Sequence, residues 1–419
     1  MPSTFATTGG TTHSATVSSL VNGTTYNRYV RCSDSAGNAT AADYGLVFSI
    51  ATGGSGGGAT ITAASCSQAN VQSAINAVAL GGTVIVPAGT CSWSGGLSIS
   101  GKQLIGAGKS AAGTVITSGQ ATMTKHATQY TRLSGFRFTG SDQHVRVDGS
   151  ASSKPYIIDN NYISTTDGRM VELNVNGGIL HHNDFKAVSP TSADVFSITT
   201  SENWSQAPTF GTGDTTGERN IYFEDNTFTN ILETAPDGDT GSRLVIRHNV
   251  FVDSSIVFHG GTPNDSSPGG GTRQFEVYSN TFDRVSNSVA VNKWIWVRGS
   301  SGVIANNSME RADSPDGSSY PNKDEIKLTL ACPNAYPMQY QVGQSNQTPE
   351  SVPSRPLLIF GNTGAGTQDA NFITVGSSNT AGGTCSSPGN YIKSGRDYVL
   401  SNSWGWTPYS YPHPLQATP

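Results

Sequence analysis

The sequence predicts an all-β fold, a right-handed parallel β-helix, on three observations. An asparagine recurs in one apolar frame, apolar residues keep a fixed register around it, and helical periodicity is nearly absent. The frame, an aliphatic or Phe followed by x-x-Asn-x-aromatic, occurs at Asn161, Asn183, Asn226, Asn249, Asn280, Asn307 and, in weaker form, Asn362. Neighbouring copies lie 22, 43, 23, 31, 27 and 55 residues apart, a unit near 22 that is sometimes doubled or lengthened. Such steps fit a solenoid with insertions.

Three residues before the asparagines stand Ile158, Leu180, Phe223, Ile246, Val277, Ile304 and Ile359, and two residues after them Ile163, Phe185, Phe228, Phe251, Phe282 and Met309. In a chain only 35% hydrophobic that uniformity is not accidental. Inward apolar positions alternating with outward polar ones mark strands buried on one face, so the asparagines fall at the bends between strands. Stacked asparagines suit such bends. Each amide donates to and accepts from the copies on neighbouring coils at the ~4.8 Å strand spacing, and the residue tolerates left-handed backbone. Three short strands and three bends use roughly 22 residues per coil.

Residues 1–50 read as short strands, ATVSSL, TYNRYVRCSD and YGLVFSI, between polar turns. From HSATVSSL to YGLVFSI the chain resembles the second half of a fibronectin type III domain, with its Leu, its Tyr-containing strand and its D-x-x-G-N turn. That resemblance implies a partial β-sandwich. Met1 is accordingly expected to be a cut within a longer secreted chain, since MPSTFATTGG has neither the basic start nor the apolar core of an export signal. ATGGSGGG at 51–58 reads as a flexible linker. Residues 59–419 read as the β-helix, with the aromatic, Pro-rich WGWTPYSYPHPL expected to cover the C-terminal end of its core.

In CSQANVQSAINAVALGGTVIVPAGTCSW, Val71, Ile75 and Val78 share a helical face that Gly81 and Gly82 terminate, and Val84, Ile85 and Val86 begin a strand. A short helix there closes a first coil that would otherwise expose its core and its edge. This segment, running on through GLSISGKQLIGAG, resembles the N-terminal cap of secreted bacterial pectate-lyase-like β-helix proteins. IYFEDNTF, LVIRHNVF, TRQFEVYSNTF and WVRGSSGVIANN resemble their coils, over roughly residues 60–365. The resemblance implies the fold; the superfamily's activities range over lyases, hydrolases, tailspikes and adhesins.

Five cysteines match no zinc spacing. Cys66 and Cys91 flank the helix-then-strand unit, and Cys332 and Cys385 flank a loop-rich section, so two disulfides are expected with Cys32 left over. The alternative is five reduced, buried thiols. Disulfides would place the protein outside the cytoplasm. With 49 Gly and 20 Pro the chain is turn-rich, but 15 Tyr, 15 Phe and the apolar columns keep it out of the disordered class. A net charge of −5 argues against a nucleic-acid groove, and no run of 18 apolar residues exists to span a membrane. No coiled coil is visible, and a monomer is expected.

Two residues before the asparagines an outward column runs Asp159, His181, Glu224, Arg247 and Tyr278, beside Ile157, Ile179, Tyr222, Val245 and Glu276. Arg243 and Arg273, just before their strands, and His259 and Arg298, at the ends of the following strands, extend the patch. Insertions at 202–219, 233–242, 260–272 and 311–356 are expected to gather on one face as the walls of a cleft. Eliminative cleavage of a uronate polymer needs a cation to neutralise the carboxylate and a base for the C5 proton. Arg247, Arg243 or Arg273 suit the first task, and His259, His181 or Tyr278 the second. The catalytic candidates are thus Glu224, Arg247, His259, Tyr278 and Glu276; the substrate-binding candidates are Asp159, His181, Arg243, Arg273 and Arg298. For Ca²⁺, the acidic residues at hand are Glu224, Asp225 and Glu276.

Hydrolysis would instead pair Glu224 with Glu276, two coils and roughly 10 Å apart along the axis. The N-T-D, D-D and R-I-K signatures of polygalacturonases are missing, as are the Arg-Pro and W-x-D-H signatures of pectate lyases. The bland alternative for Glu224 and Arg247 is a surface ion pair worth about 0–1 kcal/mol. Trp294 and Trp296 alternate on one strand and are expected to share a face, in the core rather than as a sugar platform. The expected function is a secreted enzyme cleaving an acidic polysaccharide by β-elimination. A glycoside hydrolase, or a non-catalytic polysaccharide-binding or adhesin β-helix, is the alternative.

Overall fold

The computed structural model describes residues 25–33, 36–49, 58–141, 143–166, 168–191, 194–200, 202, 204, 206–260, 270–285, 291, 293–309, 324–330, 337, 339–364, 372–377 and 391–417. The chain divides into two compact units, Met1–Gly57 with Ala417–Pro419, and Gly58–Gln416. In the first, Thr25–Val30 pairs antiparallel with Tyr44–Ser49. Cys32 is an exposed free thiol.

In the second unit twelve strands pair in chain order into one sheet. They are β1 (Thr60–Thr62), β2 (Thr83–Ile85), β3 (Gln103–Ile105), β4 (Thr131–Ser134), β5 (Tyr156–Asp159), β6 (Gly178–His181), β7 (Ile221–Glu224), β8 (Arg243–Arg247), β9 (Gln274–Tyr278), β10 (Gly302–Ala305), β11 (Leu357–Phe360) and β12 (Tyr398–Val399). Every pairing in this sheet is parallel, without a register shift from β5 to β9. A second parallel sheet of eighteen strands supplies the other sides of the coils. In it Ile163, Phe185, Phe228, Phe251, Phe282 and Met309 fall into one register. The architecture fits an all-β solenoid, with the residues three before each asparagine buried in the same core. Among the described residues no helix is long and apolar enough to cross a membrane.

The asparagines build a ladder at the bend that follows each strand from β5 to β11. The side-chain amide of Asn161 donates to Asn183 Oδ1 (3.1 Å), and Asn183, Asn226, Asn249, Asn280 and Asn307 each donate likewise to the next asparagine at 2.8–3.0 Å. The same Oδ1 atoms also accept the backbone N–H of the preceding asparagine, as at Asn183 to Asn226 (3.0 Å). Each Nδ2 further donates back to a carbonyl one coil earlier, Asn226 to Leu180 O at 2.8 Å for example. Buried bend amides are therefore satisfied by neighbours rather than by water. Beneath the ladder, the rings of Phe228, Phe251 and Phe282 stack at 4.7 Å spacings. Left-handed backbone falls one residue earlier than the sequence suggests. It is Asn160, His182, Asp225, His248, Ser279 and Asn306 that carry φ of 53–57°, because the ladder needs the asparagine side chain turned inward and the sharp turn is made just before it.

A helix, α1 (Gln68–Ala77), buries Val71, Ala74 and Ile75 in the core with Trp93, Val84 and Leu104. It ends at Ala77, ahead of Gly81 and Gly82, where the Val78 N–H closes on Ala74 O (2.9 Å) and the chain turns extended. Cys66 and Cys91 form a disulfide beside it, and the Trp93 ring N–H donates to Cys66 O (3.0 Å). Cys332 and Cys385 lie outside the described residues. The two tryptophans of Lys293–Val297 do not share a face. Trp294 is buried against Phe282 (5.8 Å) while Trp296 is half-buried on the outer side.

Candidate functional site

The outward column exists as one register: Asp159, His181, Glu224, Arg247 and Tyr278 are successive partners across β5 to β9. The aromatic C-terminal segment does not sit over the end of the core. It runs along this outward face, where Trp406, Tyr409 and Leu415 pack on Ile157, Ile179, Tyr222, Val245 and Tyr278. An apolar column facing outward requires such a cover, since it would otherwise leave a continuous hydrophobic stripe in water.

Beneath the cover Arg247 and Glu224 are both 0% exposed. Arg247 makes four hydrogen bonds and a further ion contact. Nε reaches Glu224 Oε1 (2.7 Å), Nη1 reaches Tyr278 Oη (2.8 Å) and Tyr409 O (2.7 Å), and Nη2 reaches Ser410 O (2.8 Å) and Glu224 Oε1 (2.5 Å). Glu224 Oε2 accepts the His413 N–H (3.0 Å) and Gln416 Nε2 (2.7 Å). Burial pushes the Glu224 carboxyl above its ordinary range, against the pull of Arg247. The ion pair weighed from the sequence is real but fully desolvated, so its loss would be costly. Glu276, also 0% exposed, accepts the Gly211 N–H (2.7 Å) and the Trp406 ring N–H (2.9 Å), and burial pushes it up to about 8. Among the described residues no three of His, Cys, Asp or Glu converge as metal ligands; the oxygens of Glu224 and Glu276 are already taken by the donors just named. Asp159 is gripped by Arg132 (2.8 and 2.9 Å) and Ser134 (2.8 Å), and burial pulls its neighbour His181 down to about 4.

His259 and Arg298 lie elsewhere, on the outer side of the eighteen-stranded sheet. Asp237, Val257, Trp296, Lys327 and Thr374 form one column there, each residue the partner of the next. His259 and Arg298 follow the ends of Ile256–Phe258 and Lys293–Val297 on successive coils, fixed by His259 N–H to Gly238 O and Arg298 N–H to Phe258 O, both 2.8 Å. The imidazole lies between a carboxylate and a guanidinium, its Nε2 3.1 Å from Asp237 Oδ1 and Arg298 Nη1 3.1 Å from its Nδ1 and 3.4 Å from its Nε2. Its side chain keeps 28% exposure. Burial pushes the Asp237 carboxyl above the usual range, opposed by its bond to His259. The Trp296 ring is fixed by its N–H on Thr329 Oγ1 (2.8 Å) and flanked by two cations, Lys293 Nζ at 4.3 Å and Arg298 Cζ at 5.0 Å from its centroid. Lys293 in turn pairs with Glu233 (2.8 Å). A carboxylate-oriented imidazole, a guanidinium and an aromatic ring thus share one accessible surface.

No protein-family model matches the chain, and no curated protein does either. Among solved structures, an alginate lyase from Paenibacillus sp. str. FPU-7 is similar to it, with 12% sequence identity over 76% of this chain and 98% of that one, and a TM-score of 0.31. A superposition that loose carries no argument about fold or chemistry.

The structure therefore splits the ten sequence candidates. Glu224, Arg247, Tyr278 and Glu276 lie under the C-terminal segment, Asp159 and His181 continue their column on the preceding coils, and His259 and Arg298 meet on the open face. Arg243 and Arg273, both 1% exposed, are enclosed by the 202–210 insertion, through Glu202 and Ala207 O at Arg243 and Gln206 O at Arg273. Asp237 and Lys293 escaped the sequence reading. Trp296 and Arg298 carried a usable signal, Arg298 standing two residues on from Trp296 just past the end of its strand; Asp237 carried none, because its place beside His259 is set by the path of an insertion.

Proposed function

We propose that this protein is a polysaccharide lyase that cleaves a uronate-containing polymer by β-elimination on the face formed by His259, Arg298 and Trp296. The observation that carries the reading is the imidazole held between a carboxylate and a guanidinium on an accessible surface, 3.1 Å from each. In the tautomer that carries its proton on Nε2, on the Asp237 side, Nδ1 has the lone pair, and Arg298 Nη1 lies 3.1 Å from Nδ1 and 3.4 Å from Nε2. A uronate carboxylate drawing Arg298 to itself would release Nδ1 for the C5 proton. Arg298 and Lys327 neutralise the carboxylate and so acidify that proton; His259 removes it, the C4–C5 double bond forms, and the C4–O bond breaks. The departing oxygen takes a proton from the imidazolium or from water. Trp296 offers an apolar face on which a sugar ring can lie.

In the same reading the coil is a right-handed parallel β-helix spanning 59–419. Residues 1–50 are a fibronectin type III-like spacer, and the protein works as a secreted monomer. The Cys66–Cys91 disulfide supports an oxidising compartment. Glu224, Arg247, Tyr278, Glu276, Asp159 and His181 serve as the frame that holds the C-terminal segment.

The test is incubation with pectate, alginate, chondroitin and neutral glucans, following unsaturated-uronate absorbance and reducing ends in parallel. Both signals are expected with an acidic polymer. Reducing ends alone would replace the lyase by a hydrolase, and saturable binding without either signal would replace it by a binding module.

A further inference from the structure

Arg243 and Arg273 sit side by side at the edge of β8 and β9, the Arg273 N–H bonded to Ser242 O (2.8 Å), and each side chain is 1% exposed. Arg243 spends Nε on Glu202 (2.8 Å) and Nη1 on Ala207 O (3.0 Å) and Gln274 Oε1 (3.3 Å). Arg273 spends Nε and Nη2 on Gln206 O (2.8 and 2.7 Å), with its plane 4.9 Å from the Trp204 ring. Three buried polar atoms are left without a partner: Arg243 Nη2, Arg273 Nη1 and Ser242 Oγ.

Charge is as unbalanced as hydrogen bonding. Glu202 pairs with Arg243 at 2.8 Å and is the carboxylate felt at Arg273 among the described residues, while Arg243 and Arg355 add positive charge there. A buried acid or lysine escapes such a surplus by exchanging a proton, but a guanidinium does not. Even with burial and its arginine neighbours drawing it down to about 9, Arg273 remains charged at neutral pH. A bound oxyanion would relieve both the charge and the unmet N–H groups.

We propose that Arg243, Arg273 and Ser242 hold a small free oxyanion of the sulfate or phosphate class, a counter-ion that ties the 202–210 insertion to the coil. Two guanidinium N–H ends and a hydroxyl match an acceptor with several oxygens better than chloride, which presents a single acceptor centre. The burial that excludes bulk water also excludes a polymer chain, so the ligand is a free ion and not a substituent of a polysaccharide.

Thermal unfolding of the whole chain in sodium sulfate or sodium phosphate, against sodium chloride at matched ionic strength, tests this. A saturable rise in Tm at low anion concentration is expected; general exclusion of such salts from the protein surface does not saturate. Glu202→Gln removes the competing negative charge and should tighten sulfate about tenfold, while Arg273→Met should abolish saturation. If Arg273→Met fails to fold, Glu202→Gln alone decides. No saturable difference from chloride, unchanged or weaker sulfate binding in Glu202→Gln, sulfate affinity retained in a folded Arg273→Met, or saturation by sodium glucuronate in place of both inorganic anions would each overturn the proposal. Lyase activity enters none of these readouts.

Discussion

Two faces of the same coils carry similar residues and arrive at opposite states. On the outer side of β7 to β9, Glu224, Arg247 and Tyr278 are sealed by the C-terminal segment, and Arg247 makes four hydrogen bonds within the protein. On the outer side of the eighteen-stranded sheet, His259 lies 3.1 Å from Asp237 and from Arg298 yet keeps 28% exposure. A group whose bonds are complete within the protein stabilises it; a group whose bonds are provisional can trade them for a substrate. Residue type does not distinguish the two cases. What lies over the strand does.

The sharpest way to break this contrast is Arg247→Met, which leaves the Glu224 carboxylate buried without its partner and should cost about 3–5 kcal/mol in urea unfolding. A loss under about 1 kcal/mol would mean that the covered face is solvated after all. His259→Ala should show the reverse profile, a fall in kcat of about a thousandfold with urea stability held within about 0.5 kcal/mol. Turnover surviving that change would remove the open face as the site.

Asn226→Ala interrupts the ladder on which both faces are hung. It strands the Asn183 amide and the Asn183 backbone N–H, so a loss of about 2 kcal/mol is expected by thermal or urea melting, with kcat altered little. Acidity sharpens the comparison further. Glu276 rises from an ordinary 4.5 to about 8 on folding, chiefly through burial. The native state therefore holds a proton that the unfolded chain releases, and the stabilisation this gives is complete below pH 4.5 and lost as the pH climbs through about 8. In Glu276→Gln the decline of stability over that window should be shallower; an identical slope in both proteins would show that Glu276 does not titrate as its burial implies. Smallest of all, Trp296→Ala should raise KM for an acidic oligosaccharide by about three- to tenfold and leave kcat nearly intact.

Much of this molecule was legible in its sequence. The seven asparagines, the apolar residues three before them and those two after them fix the register, because a parallel stack repeats one local requirement on every coil. The column Asp159 to Tyr278 followed from the same arithmetic. Its covering did not, although Ile157, Ile179 and Val245 advertised it: three aliphatic side chains on an outward face call for a partner, and the aromatic segment near the C-terminus was the available one. Nor was Trp296 separable from Trp294 by counting, since the second residue of that strand turns onto Phe282 instead of obeying strict alternation.

By itself, then, the sequence determined the coil, its ladder and which residues stand above one another, since these depend on short-range spacing repeated along the chain. Only the tertiary structure decided that Glu224 is sealed while His259 is open. That choice rests on contacts such as His413 to Glu224, 189 residues apart, and Asp237 to His259 across an insertion, and no periodic pattern encodes where a long irregular segment comes to rest.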